Sequence, residues 1–307
     1  MTGRLVHTGQ AVLDLVMTVP ALPPAGGDVL ATSTNLLPGG GFNVMSAAAR
    51  SGADVLYAGV HGIGGFGDTV RAALAAEGVA VAHEPSGGMD TGVVVALVDA
   101  SGERTFVTGA GAEGQLREDQ LDAVEATAGD LVYVTGYSLL HESNRAALLS
   151  WLPRLPGSPV LFDPGPLASE IDLETFRVVM STVDILSCNA REATEITRTR
   201  TTNSAIRALA TMLPAAATVV IRDGPAGCLL HREHSTVTIP GFPVVAVDTN
   251  GAGDTHCGVL AAELLRGADV EHAALRANAA AALSVTRHGP ATAPGREEID
   301  ELVKALT

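Results

Sequence analysis

The sequence contains very little lysine. Lys304 is the sole lysine among 307 residues. A Walker-type phosphate loop, a protein kinase and a pyridoxal enzyme each require a lysine in a defined local setting. Lys304 follows Leu302 and Val303 and has no glycine loop before it. These three classes of protein are therefore excluded.

Positive charge is also scarce, because 19 Lys and Arg residues face 34 Asp and Glu residues, which gives a net charge of −15. Such a balance argues against nucleic acid and anionic membranes as partners. No apolar run approaches the roughly 18 residues of a membrane span. The first residues lack the apolar stretch of a signal peptide. We therefore expect a cytoplasmic protein that acts on small molecules.

Cysteines are few and scattered. Cys188, Cys228 and Cys257 show no CxxC spacing, so neither a disulfide framework nor a thiolate zinc site is indicated. Cys228 lies within seven residues of His231 and His234. A polar hairpin end is favoured there over a metal site, since nothing downstream completes four ligands. His256 and Cys257 are interpreted as packing residues.

Hydrophobic residues make up 47% of the chain, enough for a substantial core. Two patches near the N-terminus show strand patterns without helices, and the rest alternates strand and helix, which predicts a parallel sheet covered on both faces. An eight-unit barrel fits the length but not the helix-free patches, so we expect a small accessory sheet. The patches are Ala11–Val19 with Val29–Leu37, and Gly92–Asp99 with Arg104–Thr108.

The strongest local signal is Gly251-Ala252-Gly253-Asp254, between the apolar run Val244–Val247, predicted as a strand, and a helical pattern. Glycines let backbone N–H groups converge at a helix N-terminus, where an anion is favoured. Asp254 then either takes a proton from an attacking hydroxyl beside a transferred phosphoryl group, or merely caps the helix. The segment alone does not decide between these two interpretations.

A second glycine segment decides between them. Pro38-Gly39-Gly40-Gly41-Phe42-Asn43 opens the first helix, and an Asn after glycines can bind a polyhydroxyl ligand. With both segments in this order, the chain closely resembles the ribokinase-like family of sugar and nucleoside kinases, the phosphofructokinase-B-type carbohydrate kinases. Further matching segments cover essentially the whole chain: Gly52-Ala53, Gly62–Gly67, Asn189-Ala190-Arg191-Glu192, Gly224-Pro225-Ala226-Gly227 and Asn278–Ala282.

The resemblance implies an α/β fold, a ribokinase-like three-layer sandwich with a mostly parallel central sheet and a small β-sheet lid. Residues 1–10, 39–90 and 110–307 then form the nucleotide-binding and catalytic core. Residues 11–38 and 91–109 form the lid over the substrate, whose closure excludes water and suppresses ATP hydrolysis. By analogy, a homodimer paired through the lids is also expected.

The resemblance also assigns site residues. Asp254 matches the catalytic base, and Gly251, Ala252 and Gly253 match the anion hole. The acceptor-binding positions are Asp14, Gly40, Gly41, Asn43 and Tyr137. The positions toward ATP and Mg²⁺ are Asn189, Glu192 (through water to Mg²⁺), Arg222, Gly224, Gly227 and Asn278. The monovalent-cation loop, several members of which act through backbone carbonyls, comprises Asp248, Asn250, Ser284, Arg287, Gly289 and Thr292.

Four departures from the family pattern bear on the substrate and the cation. Ribokinases proper have a Lys and one more residue in the Gly39–Asn43 stretch, and a Glu in place of Tyr137, which argues against ribose itself. Asn250 stands where Thr or Gly is commoner, so a requirement for K⁺ stays open. Arg222 and Asp223 stand where Thr is common, either adding charge near the nucleotide phosphates or forming a surface pair.

The sequence thus predicts a kinase that uses ATP and Mg²⁺ to phosphorylate a hydroxyl of a small sugar, nucleoside or related polyol. An uncharged acceptor is favoured because the stretch Gly39–Asn43 carries no cation. Arg50, Arg71 and Arg104 leave open a kinase for a phosphorylated sugar, since an Arg fork grips phosphate well. A non-catalytic sugar- or nucleotide-binding regulator is less favoured, because the chain keeps Asp254 and its glycines.

The segment Gly62–Gly67 matches GxGxxG, with Glu84 at the end of the next predicted strand. That layout is typical of a dinucleotide site, so a nicotinamide oxidoreductase is a third hypothesis. The fingerprint normally follows the first strand of its domain, whereas this one follows a helix and an earlier sheet. The kinase hypothesis explains the same glycines as a turn at the rim of the active site.

Overall fold

The computed structural model describes residues 3–305. Within that range the chain forms thirteen β-strands and eleven α-helices. The strands are β1 (Leu5–His7), β2 (Ala11–Thr18), β3 (Ser33–Gly40), β4 (Val55–Tyr57), β5 (Ala80–Val81), β6 (Val93–Val98), β7 (Arg104–Gly109), β8 (Leu131–Thr135), β9 (Val160–Asp163), β10 (Ile185–Asn189), β11 (Thr218–Arg222), β12 (Gly227–Arg232) and β13 (Ser235–Pro240). The helices are α1 (Gly41–Arg50), α2 (Gly65–Ala76), α3 (Glu118–Asp122), α4 (Gly136–Leu140), α5 (Glu142–Trp151), α6 (Leu173–Met180), α7 (Ala190–Thr197), α8 (Thr202–Thr211), α9 (Ala252–Leu265), α10 (Val270–Ser284) and α11 (Arg296–Lys304).

Nine strands form the central sheet, in the order β13-β12-β11-β10-β9-β8-β1-β4-β5. All neighbours from β11 to β5 are parallel, and β12 and β13 add an antiparallel edge. Leu5 and Tyr57 pack into the core on one face, while Val6 and Leu56 pack into the core on the other. Because both faces are covered by helices, the buried strands are almost wholly apolar. The three-layer sandwich expected from the sequence is confirmed.

A second sheet has the order β3-β2-β6-β7, with β2 and β6 parallel and the other pairs antiparallel. It is built from the two helix-free patches. Its strand β3 ends at Gly40, and α1 begins at the next residue, Gly41. Gly40 has φ +60°, and a Cβ on Gly41 would collide with the ring of His7. The small sheet therefore continues directly into a helix of the core.

Helices α1 and α9 lie against each other through Gly258, whose missing Cβ would collide with the carbonyl oxygen of Val44. Gly258 is one helical turn beyond Asp254, and Val44 follows Asn43. This close approach brings the N-terminal turns of both helices to the same edge of the central sheet. None of the helices in residues 3–305 has the length and apolar character needed to cross a membrane.

The predicted strand at Val244–Val247 is wrong. The segment has no strand pairing, and Val245 is 85% exposed. Strand β13 ends at Pro240, and Pro243, which has no N–H to donate, interrupts the chain before Val244. The N–H of Val247 instead donates to the carbonyl of Val285 at 2.7 Å.

The polar hairpin end expected near Cys228 is present. Cys228 itself lies in strand β12, which was not predicted from the sequence. Glu233 and His234 both have positive φ, 50° and 69°, in a two-residue turn between β12 and β13. His231 Nδ1 hydrogen-bonds Thr236 Oγ1 at 2.8 Å. In the part of the chain that the structure describes, no three His, Cys, Asp or Glu side chains are grouped to hold a metal ion.

Helix α2 begins at Gly65, where Asp90 caps it from a distant loop. The N–H groups of Phe66 and Gly67 donate to the Asp90 carboxylate at 3.0 and 2.8 Å. A carboxylate of the chain thus occupies the helix N-terminus where a dinucleotide would place its pyrophosphate. This arrangement contradicts the dinucleotide interpretation of Gly62–Gly67.

Candidate active site

The Gly251–Asp254 segment forms the N-terminus of α9. Gly251 is the residue before the helix and has φ +73°, and a Cβ there would collide with the carbonyl oxygen of Pro290. Ala252 and Gly253 open the helix, and Asp254 lies in its first turn. Amides at a helix N-terminus lack intrahelical acceptors and favour an anion. The segment therefore combines an anion-binding geometry with a carboxylate.

Asp254 meets Asn43, which comes from the first turn of α1. Asn43 Nδ2 donates to Asp254 Oδ2 at 2.8 Å. Asn43 is 4% exposed, and its Oδ1 has no hydrogen-bond partner among residues 3–305. Burial raises the pKa of Asp254 to about 6; the charge of Asp163 adds to this effect, whereas the Asn43 hydrogen bond opposes it. Such a carboxylate is poised to exchange a proton near neutral pH.

Asp14, on β2, belongs to the same group. A Cβ on Gly39 would collide with the Asp14 carboxylate, so only glycine lets that carboxylate lie against β3. Burial, followed by the charge of Asp254, raises the pKa of Asp14 to about 6. The charge of Asp254 therefore acts on Asp14. Asp14, Asn43 and Asp254 meet where the small sheet joins the core, although their sequence positions are far apart.

On the other side of the α9 N-terminus lies the buried guanidinium of Arg222, at the end of β11. Its Nη1 donates to Asp163 Oδ2 at 3.0 Å and to Ser187 Oγ at 2.9 Å, and its Nη2 lies 3.7 Å from Glu192 Oε2. A Cβ on Gly253 would lie 3.5 Å from Nη2. Arg222 is therefore a buried charge beneath the glycine turn, which contradicts the alternative of a surface pair with Asp223.

Asn189 and Glu192 cap helix α7. Glu192 N donates to Asn189 Oδ1 at 2.9 Å, and Asn189 N donates to Glu192 Oε2 at 2.8 Å. Burial and the charge of Asp163 raise the pKa of Glu192, whereas Arg222 lowers it. The capping bonds account for the spacing of the two residues and fix the Glu192 carboxylate beside Arg222. Their part in holding Mg²⁺ stays a prediction.

Tyr137 lies at the first turn of α4 and is 45% exposed. Its ring would lie 3.5 Å from a Cβ on Gly165. Burial of the hydroxyl, followed by the charges of Asp254, Glu192 and Asp163, raises the pKa of Tyr137. The phenol therefore interacts electrostatically with all three carboxylates and lies at the rim of the same site.

The remaining nucleotide-side residues are less uniform. Gly224 and Gly227 have φ values of 53° and 93° in the turn between β11 and β12. Asn278, on α10, is 6% exposed, and its Nδ2 donates to the carbonyls of Ile239 and Pro240 at 3.2 and 3.0 Å. Its side-chain amide thus joins α10 to β13 and is not brought to the group around Asp254. Its contact with a nucleotide stays a prediction.

The residues of the predicted cation loop do lie together, behind Gly251. The carboxylate of Asp248 accepts from Asn250 N at 2.9 Å and from Gly289 N at 3.0 Å. Thr292 Oγ1 donates to the carbonyl of Ser284 at 3.0 Å, and Arg287 Nη1 donates to the carbonyl of Thr292 at 3.4 Å. The structure also brings Arg104 of β7 onto this loop, where its guanidinium pairs with Asp248.

The sequence analysis missed two residues of this region. Asp163 ends β9, beside Arg222; an acidic residue at the carboxyl end of a predicted parallel strand was the available signal. Gln10 follows β1, and its Oε1 accepts from Ser138 Oγ at 3.3 Å. Gln10 Nε2 has no hydrogen-bond partner in the described range. No local pattern marked Gln10, because its burial depends on the meeting of β1, β2 and α4.

The fold and the site together define a class of protein. A parallel sheet between two helical layers carries, at the carboxyl ends of its strands, a helix N-terminus flanked by a carboxylate and a buried guanidinium. This is the construction of an α/β phosphotransferase. The model of the pfkB family carbohydrate kinases matches residues 2–296. The chain therefore belongs to the pfkB family of carbohydrate kinases.

Curated relatives span the whole length of the chain. An uncharacterized sugar kinase of Escherichia coli, YegV, is 32% identical, over 97% of this chain and 98% of the relative. A ribokinase of Bacillus subtilis is also 32% identical, over 96% and 97%. An ATP-dependent ribose-1-phosphate kinase of Halopiger xanaduensis is 28% identical, over 96% of each chain.

Solved structures agree with this fold. A ribokinase of Thermotoga maritima superposes with a TM-score of 0.85 at 24% identity, covering 98% of this chain and 99% of that one. An Arabidopsis thaliana ribokinase complexed with ribose and ATP gives 0.82 at 23% identity, with 99% of each chain covered. A putative ribokinase II of E. coli in complex with ATP and Mg²⁺ gives 0.83 at 22% identity, again with 99% of each covered.

Proposed function

We propose that this protein transfers the γ-phosphoryl group of ATP to a hydroxyl of a small, unphosphorylated sugar, nucleoside or related polyol. The observation that carries the proposal is the hydrogen bond between Asn43 and Asp254 at the N-terminus of α9, with Asp14 beside it. This group offers acceptors and a donor for hydroxyls, a base, and an anion-binding turn within one region.

The proposed reaction follows from these positions. Asp14 and Asn43 orient the acceptor hydroxyl, and Asp254 takes its proton as the new oxygen–phosphorus bond forms. The bond between the γ-phosphorus and the bridging oxygen breaks, and ADP leaves with the electron pair. The amides around Gly253 and the guanidinium of Arg222 stabilise the negative charge of the transferred group. Gly40, Gly41 and Tyr137 are proposed to line the acceptor side.

ATP and Mg²⁺ fit the residues on the other side of α9. Arg222 Nη2 would lie only 3.5 Å from a Cβ on Gly253, so its guanidinium adjoins the turn proposed to bind the transferred phosphoryl group. Carboxylate oxygens with retained waters are the surroundings that Mg²⁺ prefers, and Glu192 and Asp163 supply carboxylates there. When bound, Mg²⁺ would neutralise charge on the phosphates. The E. coli complex with ATP and Mg²⁺ and the Arabidopsis complex with ribose and ATP support this assignment.

An uncharged acceptor is favoured because the arginines once considered for a sugar phosphate have other partners. Arg50 Nε donates to Glu77 at 3.0 Å. Arg71 pairs with Asp68, and Arg104 pairs with Asp248. The acceptor side is instead surrounded by Asp14, Asp254 and neutral groups, which bind hydroxyls and repel phosphate.

A kinase for a phosphorylated sugar is the second candidate, since the Halopiger relative is named as a ribose-1-phosphate kinase. It would require an arginine to leave its present partner when the substrate binds. The division into a core and a lid at residues 11–38 and 91–109, and the homodimer, remain predictions within the proposed function.

The test is ADP release in the presence of ATP and Mg²⁺ over a panel of sugars, nucleosides, polyols and sugar phosphates. We expect turnover with an unphosphorylated acceptor, and a loss of about 10²- to 10⁴-fold in Asp254→Asn. Asparagine caps a helix as well as aspartate does but is not a base. The matched control is Asp172→Asn, at the N-cap of α6, which should leave turnover unchanged.

Near-normal turnover of Asp254→Asn would refute the assignment of Asp254 as the base. Turnover confined to sugar phosphates would instead establish the second candidate. Calorimetric titration with ATP and Mg²⁺ should show that Asp254→Asn still binds the nucleotide, which separates a loss of the base from a loss of folding.

A further inference from the structure

The loop predicted to bind a monovalent cation already carries a positive charge of the chain. Arg104, the first residue of β7 in the small sheet, pairs with Asp248 of the core. Both side chains are largely buried, at 26% and 16% exposure. This ion pair joins two segments that are far apart in the sequence and belong to different sheets.

The carboxylate of Asp248 accepts three hydrogen bonds from the chain. Its Oδ1 accepts from Asn250 N at 2.9 Å and from the Arg104 guanidinium, and its Oδ2 accepts from Gly289 N at 3.0 Å. A hard cation requires oxygen lone pairs directed at it, from carboxylates, carbonyls or water. In this loop, lone pairs of the Asp248 carboxylate are directed at N–H donors of the chain instead.

Two further carbonyls of the loop lie at the Thr292 hydroxyl. Its single proton is directed at the carbonyl of Ser284, 3.0 Å from Oγ1, and the carbonyl of Gly289 lies 3.4 Å from the same oxygen. The carbonyl of Thr292 accepts from Arg287. Arg287 also pairs with Glu298 of α11. Asp248 with Arg104, and Glu298 with Arg287, therefore leave no net negative charge at the loop to attract a cation.

The hairpin before β7 fixes the position of Arg104. Asp99 Oδ1 accepts from Ser101 N at 2.8 Å and from Glu103 N at 3.2 Å, which closes the turn between β6 and β7. Arg104 follows directly and pairs with Val98 in the strand register. The guanidinium thus reaches Asp248 from the first residue of β7. Asp248 itself lies three residues before Gly251, the residue that precedes α9.

We propose that Arg104 supplies, from the lid, the positive charge that a monovalent cation supplies at this loop in related kinases, so that this enzyme works without K⁺. The proposal rests on the proposed kinase function. In this proposal Arg104 takes the place of the K⁺ ion, whose requirement the sequence left open. It also makes the charge behind the anion-binding turn depend on the position of the lid.

The first experiment compares wild-type turnover in KCl and in tetramethylammonium chloride at equal ionic strength. We expect rates within twofold of each other. Activation by K⁺ of tenfold or more in the wild type would overturn the proposal, while the ADP release itself would leave the kinase function intact. Failure of every acceptor in both salts would instead refute the kinase function.

The second experiment removes the guanidinium with Arg104→Met. We expect turnover in tetramethylammonium chloride to fall by tenfold or more. Because loss of the guanidinium frees Asp248 for a cation, we expect K⁺ to restore the turnover. A decrease of equal size in both salts would overturn the proposal, because Arg104 would then only hold the lid. Arg154→Met, which breaks an exposed ion pair with Glu118 far from the loop, is the matched control and should behave as the wild type.

A measurement without turnover completes the test. The melting temperature of Arg104→Met should rise in KCl relative to tetramethylammonium chloride, whereas that of the wild type and of Arg154→Met should be the same in both salts. A K⁺-specific rise in the wild type would contradict the proposal even if no acceptor had been found. Arg104→Gln provides a second variant should the Met variant fail to fold.

Discussion

Removing the amide of Asn43 should move the pH dependence of turnover. In Asn43→Ala, Asp254 loses the hydrogen bond that Asn43 Nδ2 donates at 2.8 Å. That bond favours the ionised carboxylate and holds down a pKa that burial has raised to about 6. Without it, only the charge of Arg222 still opposes burial and the charge of Asp163. The pKa of Asp254 should therefore rise, and the acidic limb of the profile should move to higher pH.

The size of the shift follows from the strength of the bond. A hydrogen bond to a charged group contributes about 1.5–3 kcal/mol, and one pKa unit corresponds to about 1.4 kcal/mol. The acidic limb should therefore move up by about 1–2 units, from about 6 to about 7–8. At pH 7 and saturating acceptor, kcat should decrease by about 2- to 10-fold from loss of the ionised base, and this part of the loss should be recovered at pH 9.

The assay is ADP release from pH 5 to pH 9.5 at saturating ATP and acceptor, because Asn43 is also expected to affect the KM of the acceptor. Asn144→Ala is the control. Asn144 is a buried asparagine whose amide bonds Glu113 O and Leu116 N, away from the carboxylates of the site. The Asn144→Ala variant should be less stable than the wild type, but the acidic limb of its pH profile should stay where it is. A loss of kcat in Asn43→Ala that is uniform across the pH range would refute the reasoning.

Two further variants test the physical origin of the site. The folded pKa of Asp254 lies above its ordinary value of 3.8, so its ionisation destabilises the folded state as pH rises from about 4 to about 6 and by a constant amount above that. Asp254→Asn should therefore raise the free energy of unfolding at pH 8 by up to about 3 kcal/mol, and urea denaturation should show the gain vanish at pH 4; equal gains at both pH values would contradict burial as the cause. Gly258→Ala places a Cβ against the carbonyl of Val44, so it should cost about 1–3 kcal/mol of stability and lower kcat by separating Asn43 from Asp254. Gly65→Ala, with nothing within 4 Å of its Cβ, is the control, and equal stability of both variants would disprove close packing at Gly258.

The sequence was informative where a local pattern coincides with a structural constraint. A Cβ on Gly251 would collide with the backbone of Pro290, and a Cβ on Gly39 would collide with the carboxylate of Asp14; both glycines lie at the candidate site. The order of strands and helices predicted the layered fold, because a buried parallel strand is apolar throughout.

The sequence was uninformative where burial or pairing depends on distant segments. Val244–Val247 has the apolar pattern of a strand but no neighbouring edge with which to pair. The start of α2 depends on Asp90, more than twenty residues further on. Gln10 lacks any motif, and only the assembled sheet places it beside the other polar groups. The partner of Arg104 is likewise a product of the two sheets meeting.

The junction of β3 and α1 has a mechanical consequence. No linker separates the two elements, so strand β3, which is proposed to cover the acceptor, and the helix that carries Asn43 share one pivot at Gly39–Gly41. We expect any outward swing of the strand to tilt the first turn of that helix and to pull Asn43 away from Asp254. When the pocket is uncovered, Asp254 would then lack its contact with Asn43. Water that enters the open pocket would therefore meet a misaligned base, which disfavours hydrolysis of ATP.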